Sequence, residues 1–161
     1  MNPRWKGVMA RTSANLDISV SKTSDQLREL IDLRSLAEFL HESLKPFDDP
    51  VDEITDGLQY ALSDDPGRGG FVLLARRDGE PVGSVVMLRT GMKGYIPENV
   101  LLYVAVRPDM RGQGVGGEII RRALEEAEGN VKLHVEYDNP AKRLYERIGF
   151  TSKYAEMRYE K

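Results

Sequence analysis

Apolar residues in the first half of the chain recur mainly at helical spacing, after one short alternating segment. Leu16 to Val20 alternates apolar and polar positions, which predicts a strand. Three stretches with apolar residues three or four positions apart follow, and they predict three helices. The first opens at Ser24, a plausible N-cap; the second runs from Leu36 to Leu44, and the third from Val51 to Leu62.

The second half of the chain alternates predicted strands with two predicted helices. Five segments have the pattern of strands: Phe71 to Ala75, Pro81 to Leu88, Val100 to Val106, Val131 to Tyr137, and Tyr154 to Tyr159. Asp78-Gly79 predicts a hairpin turn between the first two of them. The unbroken apolar run of the third predicts a strand buried on both faces. Helices are predicted from Gly114 to Ala127, and from the N-cap Asn139 to the C-cap Gly149.

Composition narrows the classes of function. The chain has 161 residues, enough for one domain, and it lacks cysteine, which excludes disulfides, thiolate metal sites and cysteine nucleophiles. His41 and His134 are its only histidines, so we expect no metal site. The net charge of −3 provides no general attraction to nucleic acid or anionic membrane, and neither partner is expected. No apolar run reaches the roughly 20 residues of a membrane span.

Organisation and location are expected to be simple. Residues 1–15 show no clear period and are expected to form a disordered tail, followed by a single domain over residues 16–161. The first residues lack the apolar run of a signal peptide, so we expect a cytoplasmic protein.

A glycine-rich turn is the most informative segment of the sequence. Arg111-Gly112-Gln113-Gly114-Val115-Gly116-Gly117 follows a predicted strand and opens a predicted helix. Glycines let the backbone approach a ligand closely, and the first amides of a helix have no intrahelical partner. Together with the helix dipole, these amides favour an anion, so the segment predicts a phosphate or pyrophosphate site.

Two common phosphate-binding motifs fit this turn poorly. A Walker A loop needs Lys and then Ser or Thr after its last glycine, whereas Gly117-Glu118 stands there. The spacing of Gly112, Gly114 and Gly117 does satisfy the dinucleotide-binding fingerprint, with Glu136 or Asp138 about 20 residues further on. However, that fingerprint should follow its strand at once, and too little chain remains to complete a Rossmann fold. A dinucleotide-binding protein is therefore the weaker alternative.

Two motifs, about 30 residues apart, resemble those of the GCN5-related N-acetyltransferase (GNAT) family. They are Arg111-x-x-Gly114-x-Gly116 and Ala141-x-x-Leu144-Tyr145-x-x-x-Gly149-Phe150. The resemblance covers residues 71–150 well, and residues 16–62 fit the family's variable first strand and helices. It implies an α/β (α+β) fold, in which helices flank a mixed, mostly antiparallel sheet and a notch between the fourth and fifth strands holds acetyl-CoA. It further implies transfer of acetyl to an amine of a small molecule or peptide, by direct attack in a ternary complex.

The resemblance also assigns contacts with the cosubstrate. The main chain of Val104, Ala105 and Val106 would bind the pantetheine arm and polarise the acetyl carbonyl. The turn would hold the pyrophosphate through Arg111, Gly112, Gln113, Gly114, Val115, Gly116 and Gly117. The asparagine that the family uses falls on Asp138 here, so the neighbouring Asn139 is expected to cap the helix and contact the cosubstrate. Lys142 and Arg143 are candidates for the adenosine 3′-phosphate.

The resemblance indicates the general acid more clearly than the general base. Tyr145 matches the tyrosine that protonates the leaving thiolate in the family. Members often place an acid on the central strand as general base, but Val100 to Leu102 contains none. Glu98 at the start of that strand and Glu136 on the next are the alternatives. His134 and Tyr103 are further candidates, both more simply explained as structural residues.

The acceptor is expected to enter between the helices of residues 36–62 and the loop Gly91 to Glu98, which are variable in the family. Asp48, Asp49, Asp52 and Glu53 make that side acidic, which favours a cationic amine such as a polyamine, a lysine or a protein N-terminus. Association into a homodimer is left open. The main alternative is a non-catalytic acetyl-CoA sensor, which the missing strand acid favours and Tyr145 opposes.

Overall fold

A computed structural model describes residues 15–161, so the predicted tail up to residue 14 lies outside the described residues. The strands are β1 (Asp17–Ser21), β2 (Gly70–Arg77), β3 (Glu80–Arg89), β4 (Asn99–Val106) and β5 (Val131–Leu133). The helices are α1 (Ser24–Arg28), α2 (Leu33–Leu44), α3 (Val51–Ala61), α4 (Val115–Glu126) and α5 (Ala141–Ile148), with a 3₁₀ turn at Pro108–Met110. Among residues 15–161, no helix has both the length and the apolar content to cross a membrane.

Helix starts and the hairpin turn follow local side-chain chemistry. The predicted cap of the first helix is displaced by one residue, because the Thr23 side chain accepts the hydrogen bond from the Gln26 amide. The Asp78-Gly79 turn is confirmed: both residues have positive φ, 52° and 80°, as the tightest hairpin turns between β-strands require.

One five-stranded sheet has the order β1-β2-β3-β4-β5. The first four strands pair antiparallel, and β5 joins β4 in parallel. This confirms the predicted mixed, mostly antiparallel sheet.

Each face of the sheet buries its own core. Helices α2 and α3 cover one face, where Leu40 and Leu58 are fully buried against residues of β2 and β3. Helix α4 covers the other face, with Ile119 and Ile120 fully buried. Full burial of each such side chain stabilises the folded state by about 1.5–3 kcal/mol, so packing on both faces stabilises the sheet.

Strand β4 departs from a regular strand at Leu102. Val86 pairs with Tyr103 and Met87 pairs with Leu101, which leaves Leu102 as the extra residue of a β-bulge. Leu102 and Tyr103 both pack toward the α2–α3 core, whereas Leu101 and Val104 pack toward the α4 core. The expectation of a strand buried on both faces is wrong, because Val100, Leu102, Val104 and Val106 are half-buried and the last three of them border a cavity.

The last two predicted strands are corrected. The fifth strand ends at Leu133 instead of Tyr137, and residues 154–159 form no strand. A strand needs a main-chain partner, and alternation of side-chain polarity alone does not provide one. Met157 and Tyr159 are instead largely exposed.

Candidate active site

The candidate site begins where β4 and β5 separate. Their pairing consists of three residue pairs and ends at Leu101 and Leu133. Beyond that point a cavity of about 1270 Å³ opens, with the rest of β4 on one side and residues 133–138 on the other. The edge of β4 that would face a neighbouring strand therefore borders the cavity, where its main-chain groups are available to a ligand.

The glycine-rich turn forms one wall of this cavity. Gly112 and Gly114 have φ of 71° and 82°, a left-handed conformation that side chains with a Cβ disfavour. Gly114 is the N-cap of α4, and it provides no side-chain cap for the helix. The amides of the first turn of α4, including Gly116 and Gly117, thus begin a helix at the cavity wall without intrahelical partners.

Arg111 and Gln113 use their side chains within the protein. The Arg111 guanidinium donates to the Ser43 carbonyl at 2.6 Å and to the Val106 carbonyl at 3.3 Å. Gln113 donates from its amide to the Asp109 carbonyl at 3.2 Å and does not line the cavity. Arg111 does line it, so of the two predicted ligands only Arg111 borders the cavity.

Helix α5 also borders the cavity, next to the glycine turn. Gly116 lets this helix approach, because a Cβ there would lie 3.2 Å from Leu144 Cδ2. Asn139 lines the cavity and accepts a hydrogen bond from the Ala141 amide at 2.9 Å. The predicted N-cap at Asn139 is corrected, because α5 has its N-cap one residue later, at Pro140, without a side-chain cap. Lys142 also lines the cavity, while its ammonium group pairs with Glu146.

Tyr145 places a half-buried phenol on the cavity wall. Its ring packs edge-on against Phe150, with centroids 5.9 Å apart. Burial raises the pKa of Tyr145 to about 12, because the charged phenolate loses its hydration. Among residues 15–161 its hydroxyl has no hydrogen-bond partner, so the proton is not committed to another protein group.

The two predicted bases lie in different places. Glu98 does not line the cavity, and its carboxylate accepts a hydrogen bond from the Asn130 amide at 2.7 Å. Hydrogen bonds from its own amide and from Asn130 hold the pKa of Glu98 below its usual range. Glu136 and His134, in contrast, both line the cavity and are exposed to solvent.

The cavity continues to the α2–α3 face of the sheet. Asp49 and Glu53 line that end, and the Tyr103 hydroxyl donates to Asp49 Oδ2 at 3.0 Å. Burial, the hydrogen bond to Asp49 and the charges of Asp49 and Glu53 raise the pKa of Tyr103, so the phenol keeps its proton. The cavity therefore joins the two faces of the sheet through the gap beside β4.

Sequence reasoning missed part of the lining. Ser152, Tyr154, Glu156 and Arg158 of the C-terminal segment also border the cavity. Three of them, Tyr154, Glu156 and Arg158, lie in the segment predicted as the last strand, where the prediction assigns them to sheet pairing. No group of three or more His, Cys, Asp or Glu side chains within the described part of the chain is arranged to hold a metal ion.

The family model described as the acetyltransferase (GNAT) family matches residues 29–150. The chain belongs to this family. Its members are acetyltransferases, which supports an acyltransferase of the N-acetyltransferase type. The family resemblance inferred from the two motifs is thereby confirmed.

Two curated relatives carry the same kind of description. An uncharacterized N-acetyltransferase of Escherichia coli strain K12 is 37% identical over 73 residues, which are 44% of this chain and 40% of that protein. This chain thus aligns with less than half the length of that relative. An acetyltransferase of Pectobacterium atrosepticum is 33% identical over 112 residues, 66% of this chain and 71% of that protein.

Solved structures share the fold at low sequence identity. The ribosomal-protein-alanine N-acetyltransferase of Brucella melitensis biovar Abortus superposes with a TM-score of 0.61 and 23% identity, covering 90% of this chain and 98% of that one. An aminoglycoside acetyltransferase from an uncultured soil metagenomic sample, in complex with sisomicin, gives a TM-score of 0.60 and 16% identity over 92% and 96% of the two chains. At these identities the likeness establishes the GNAT fold, as predicted.

Proposed function

We propose that this GNAT protein transfers an acetyl group from acetyl-CoA to an amine within a ternary complex. The observation that carries the proposal is the cavity through the sheet, which is lined by the α4 glycine turn on one face and by Asp49 and Glu53 on the other. Two ligands entering from opposite faces would meet beside β4. Such an arrangement suits direct transfer, because it holds both reactants at one point.

The residues present fit acetyl-CoA. The left-handed glycines and the free amides at the start of α4 suit a pyrophosphate, which needs close backbone approach and positive potential. Gly112, Gly114, Val115, Gly116 and Gly117 would hold that group through their main chain, and Arg111 lies beside them. Asn139 and Lys142 would contact the adenosine end, and a cavity of about 1270 Å³ suits a long, extended ligand.

The chemistry assigned to acetyl-CoA is supply of an acetyl thioester. The free edge of β4 at Val104, Ala105 and Val106 would orient the acetyl group and polarise its carbonyl through main-chain donors. Tyr145 would donate its phenolic proton to the departing thiolate as the nitrogen–carbon bond forms and the carbon–sulfur bond breaks. Glu136 would take the proton that the amine nitrogen loses, because it borders the cavity whereas Glu98 does not.

A second candidate is a non-catalytic sensor of acetyl-CoA. Strand β4 carries no carboxylate beside the gap, which is the observation that favours this candidate. The Tyr145 hydroxyl, which has no hydrogen-bond partner among residues 15–161, lies at the cavity wall and favours catalysis instead. The cytoplasmic location stays a prediction, and association into a homodimer stays open.

Incubation of the protein with acetyl-CoA and a panel of primary amines tests the proposal. We expect free thiol and acetylated amine to form in equal amounts. Binding of acetyl-CoA by calorimetry without turnover of any amine would favour the sensor. Absence of acetyl-CoA binding would reject both candidates.

A further inference from the structure

The inference concerns the end of the cavity on the α2–α3 face, and it rests on the proposed function. Asp49 lies in the connection between α2 and α3, which His41 holds in place. The His41 ring contacts the Asp49 carbonyl at 2.9 Å and the Asp48 carboxylate at 3.2 Å. Asp48 is thereby used in fixing the loop and does not line the cavity, whereas the Asp49 side chain does.

Tyr103 fixes the orientation of the Asp49 carboxylate. The hydroxyl of this nearly buried tyrosine donates to Asp49 Oδ2 at 3.0 Å, across 54 positions of sequence. Tyr103 also follows the bulge at Leu102 and directly precedes Val104, the first residue proposed to face the acetyl group. The carboxylate is therefore held at the α2–α3 end of the cavity, one tyrosine side chain away from β4.

The Asp49 carboxylate lacks a paired cation among residues 15–161. Lys45, which lines the same end, pairs with Glu42 at 3.0 Å. Arg158 of the C-terminal segment pairs with Glu156 at 2.6 Å; that hydrogen bond is the main cause of its raised pKa, and Asp49 is the last contributor. Asp49 thus accepts from a neutral hydroxyl, and Glu53 nearby adds a second negative charge.

We propose that Asp49, positioned by Tyr103, selects amine acceptors that carry a second positive charge, such as diamines and polyamines. The nitrogen that attacks the thioester must be uncharged, because a protonated nitrogen has no lone pair to form the bond. A fixed carboxylate that forms no ion pair with any described residue instead suits a nitrogen that stays protonated throughout the reaction. The acceptor would therefore place its second ammonium group at Asp49 and its neutral amine toward β4.

Two small probes test this selection directly. 1,4-Diaminobutane and 1-aminobutane have the same carbon chain and differ in the second ammonium group. Each is titrated by calorimetry into the protein saturated with coenzyme A, which permits binding without turnover. We expect the diamine to bind the wild-type protein about tenfold more tightly, or better, as a charge-assisted contact allows. Equal affinity of the two probes for the wild-type protein would overturn the proposal without the use of any variant.

Three variants test which residues cause the preference for the diamine. Asp49→Asn keeps an acceptor for the Tyr103 hydroxyl but removes the charge, so the preference for the diamine should fall to about onefold while 1-aminobutane affinity stays the same. Tyr103→Phe should reduce the preference in part, which a merely structural role would not do. Asp56→Asn removes an exposed charge from α3 that does not line the cavity, and it should keep the full preference. A preference retained in Asp49→Asn would contradict the assignment.

Failure of this inference is separable from failure of the proposed function. If the protein binds acetyl-CoA and acetylates both probes with equal efficiency, the proposed function stands and the proposed selection by Asp49 is wrong. If the protein binds no coenzyme A, the proposed function is wrong. Titration of the two probes into the free protein would still decide whether Asp49 selects the diamine.

Discussion

The Arg111 guanidinium donates a hydrogen bond to the Ser43 carbonyl at 2.6 Å, between residues 68 positions apart in the sequence. The contact joins the glycine turn to the C-terminal end of α2, where Ser43 is buried. A second bond from Arg111 to the Val106 carbonyl, at 3.3 Å, joins the same side chain to the end of β4. Arg111 thereby links the end of α2 to the end of β4 as well as bordering the predicted pyrophosphate site.

Replacement of Arg111 by methionine should therefore reduce stability as well as cosubstrate affinity. Removal of the guanidinium leaves the Ser43 carbonyl without this donor, which should lower the free energy of unfolding by about 1–2 kcal/mol. Urea unfolding measures this effect, and calorimetry with acetyl-CoA measures affinity. Arg111→Lys keeps the charge but not the planar donor pair, so it should restore affinity more than stability. An Arg111→Met variant with the same free energy of unfolding as the wild type would show that the Ser43 contact contributes nothing to stability.

Tyr145→Phe should slow acetyl transfer with little effect on stability. The substitution keeps the ring against Phe150 and removes a hydroxyl that has no partner among the described residues. Loss of a positioned acid should lower the single-turnover rate about 10²-fold. The Kd for acetyl-CoA should change little, because the lost contact matters mainly in the transition state.

Tyr60→Phe is the matched control for that variant. The Tyr60 hydroxyl lies 3.2 Å from the carbonyls of both Gly67 and Arg89 and shares its single proton between them, and it lies outside the cavity lining. Its removal should cost about 1 kcal/mol of stability and leave the single-turnover rate unchanged. If Tyr145→Phe instead lowers stability and leaves the single-turnover rate unchanged, Tyr145 is a structural residue.

The raised pKa of Tyr145 predicts a dependence of stability on alkaline pH. Burial favours the neutral phenol in the folded state, with a pKa of about 12 against 10.0 for the free side chain. The stabilising effect is therefore complete below the unfolded pKa and is lost as pH rises from about 10 through about 12. Wild type should lose about 1 kcal/mol relative to Tyr145→Phe between about pH 9 and about pH 11, measured by urea unfolding. Parallel pH profiles of the two proteins would show that the phenol titrates normally.

The sequence predicts most of the fold because its signals there are local. An apolar run and the Asp78-Gly79 turn predict β2 and β3, helical spacing predicts α4, and the glycine turn lies at the cavity wall. The prediction of a C-terminal strand is wrong, since the residue types from Tyr154 to Tyr159 carry no information about a partner strand. In the same way, the contacts Tyr103–Asp49 and Arg111–Ser43 join distant parts of the chain, and no local pattern indicates them.

The glycine turn is the part of the site that the account depends on most, and Gly114→Asp tests it. The substitution places a side chain and a negative charge at the N-cap of α4, where the pyrophosphate is proposed to bind. Gly67→Asp is a matched control: its φ of 86° is close to the 82° of Gly114, so backbone strain is similar, and Gly67 does not line the cavity. Both variants add the same charge to the protein.

Calorimetric titration of acetyl-CoA into the wild-type protein and both variants is the most direct measurement, after circular dichroism has shown that all three are folded. We predict that Gly114→Asp weakens binding by several kcal/mol through steric clash and charge repulsion, while Gly67→Asp binds as the wild type does. Equal acetyl-CoA affinity in Gly114→Asp, Gly67→Asp and the wild type would contradict the proposed cosubstrate site.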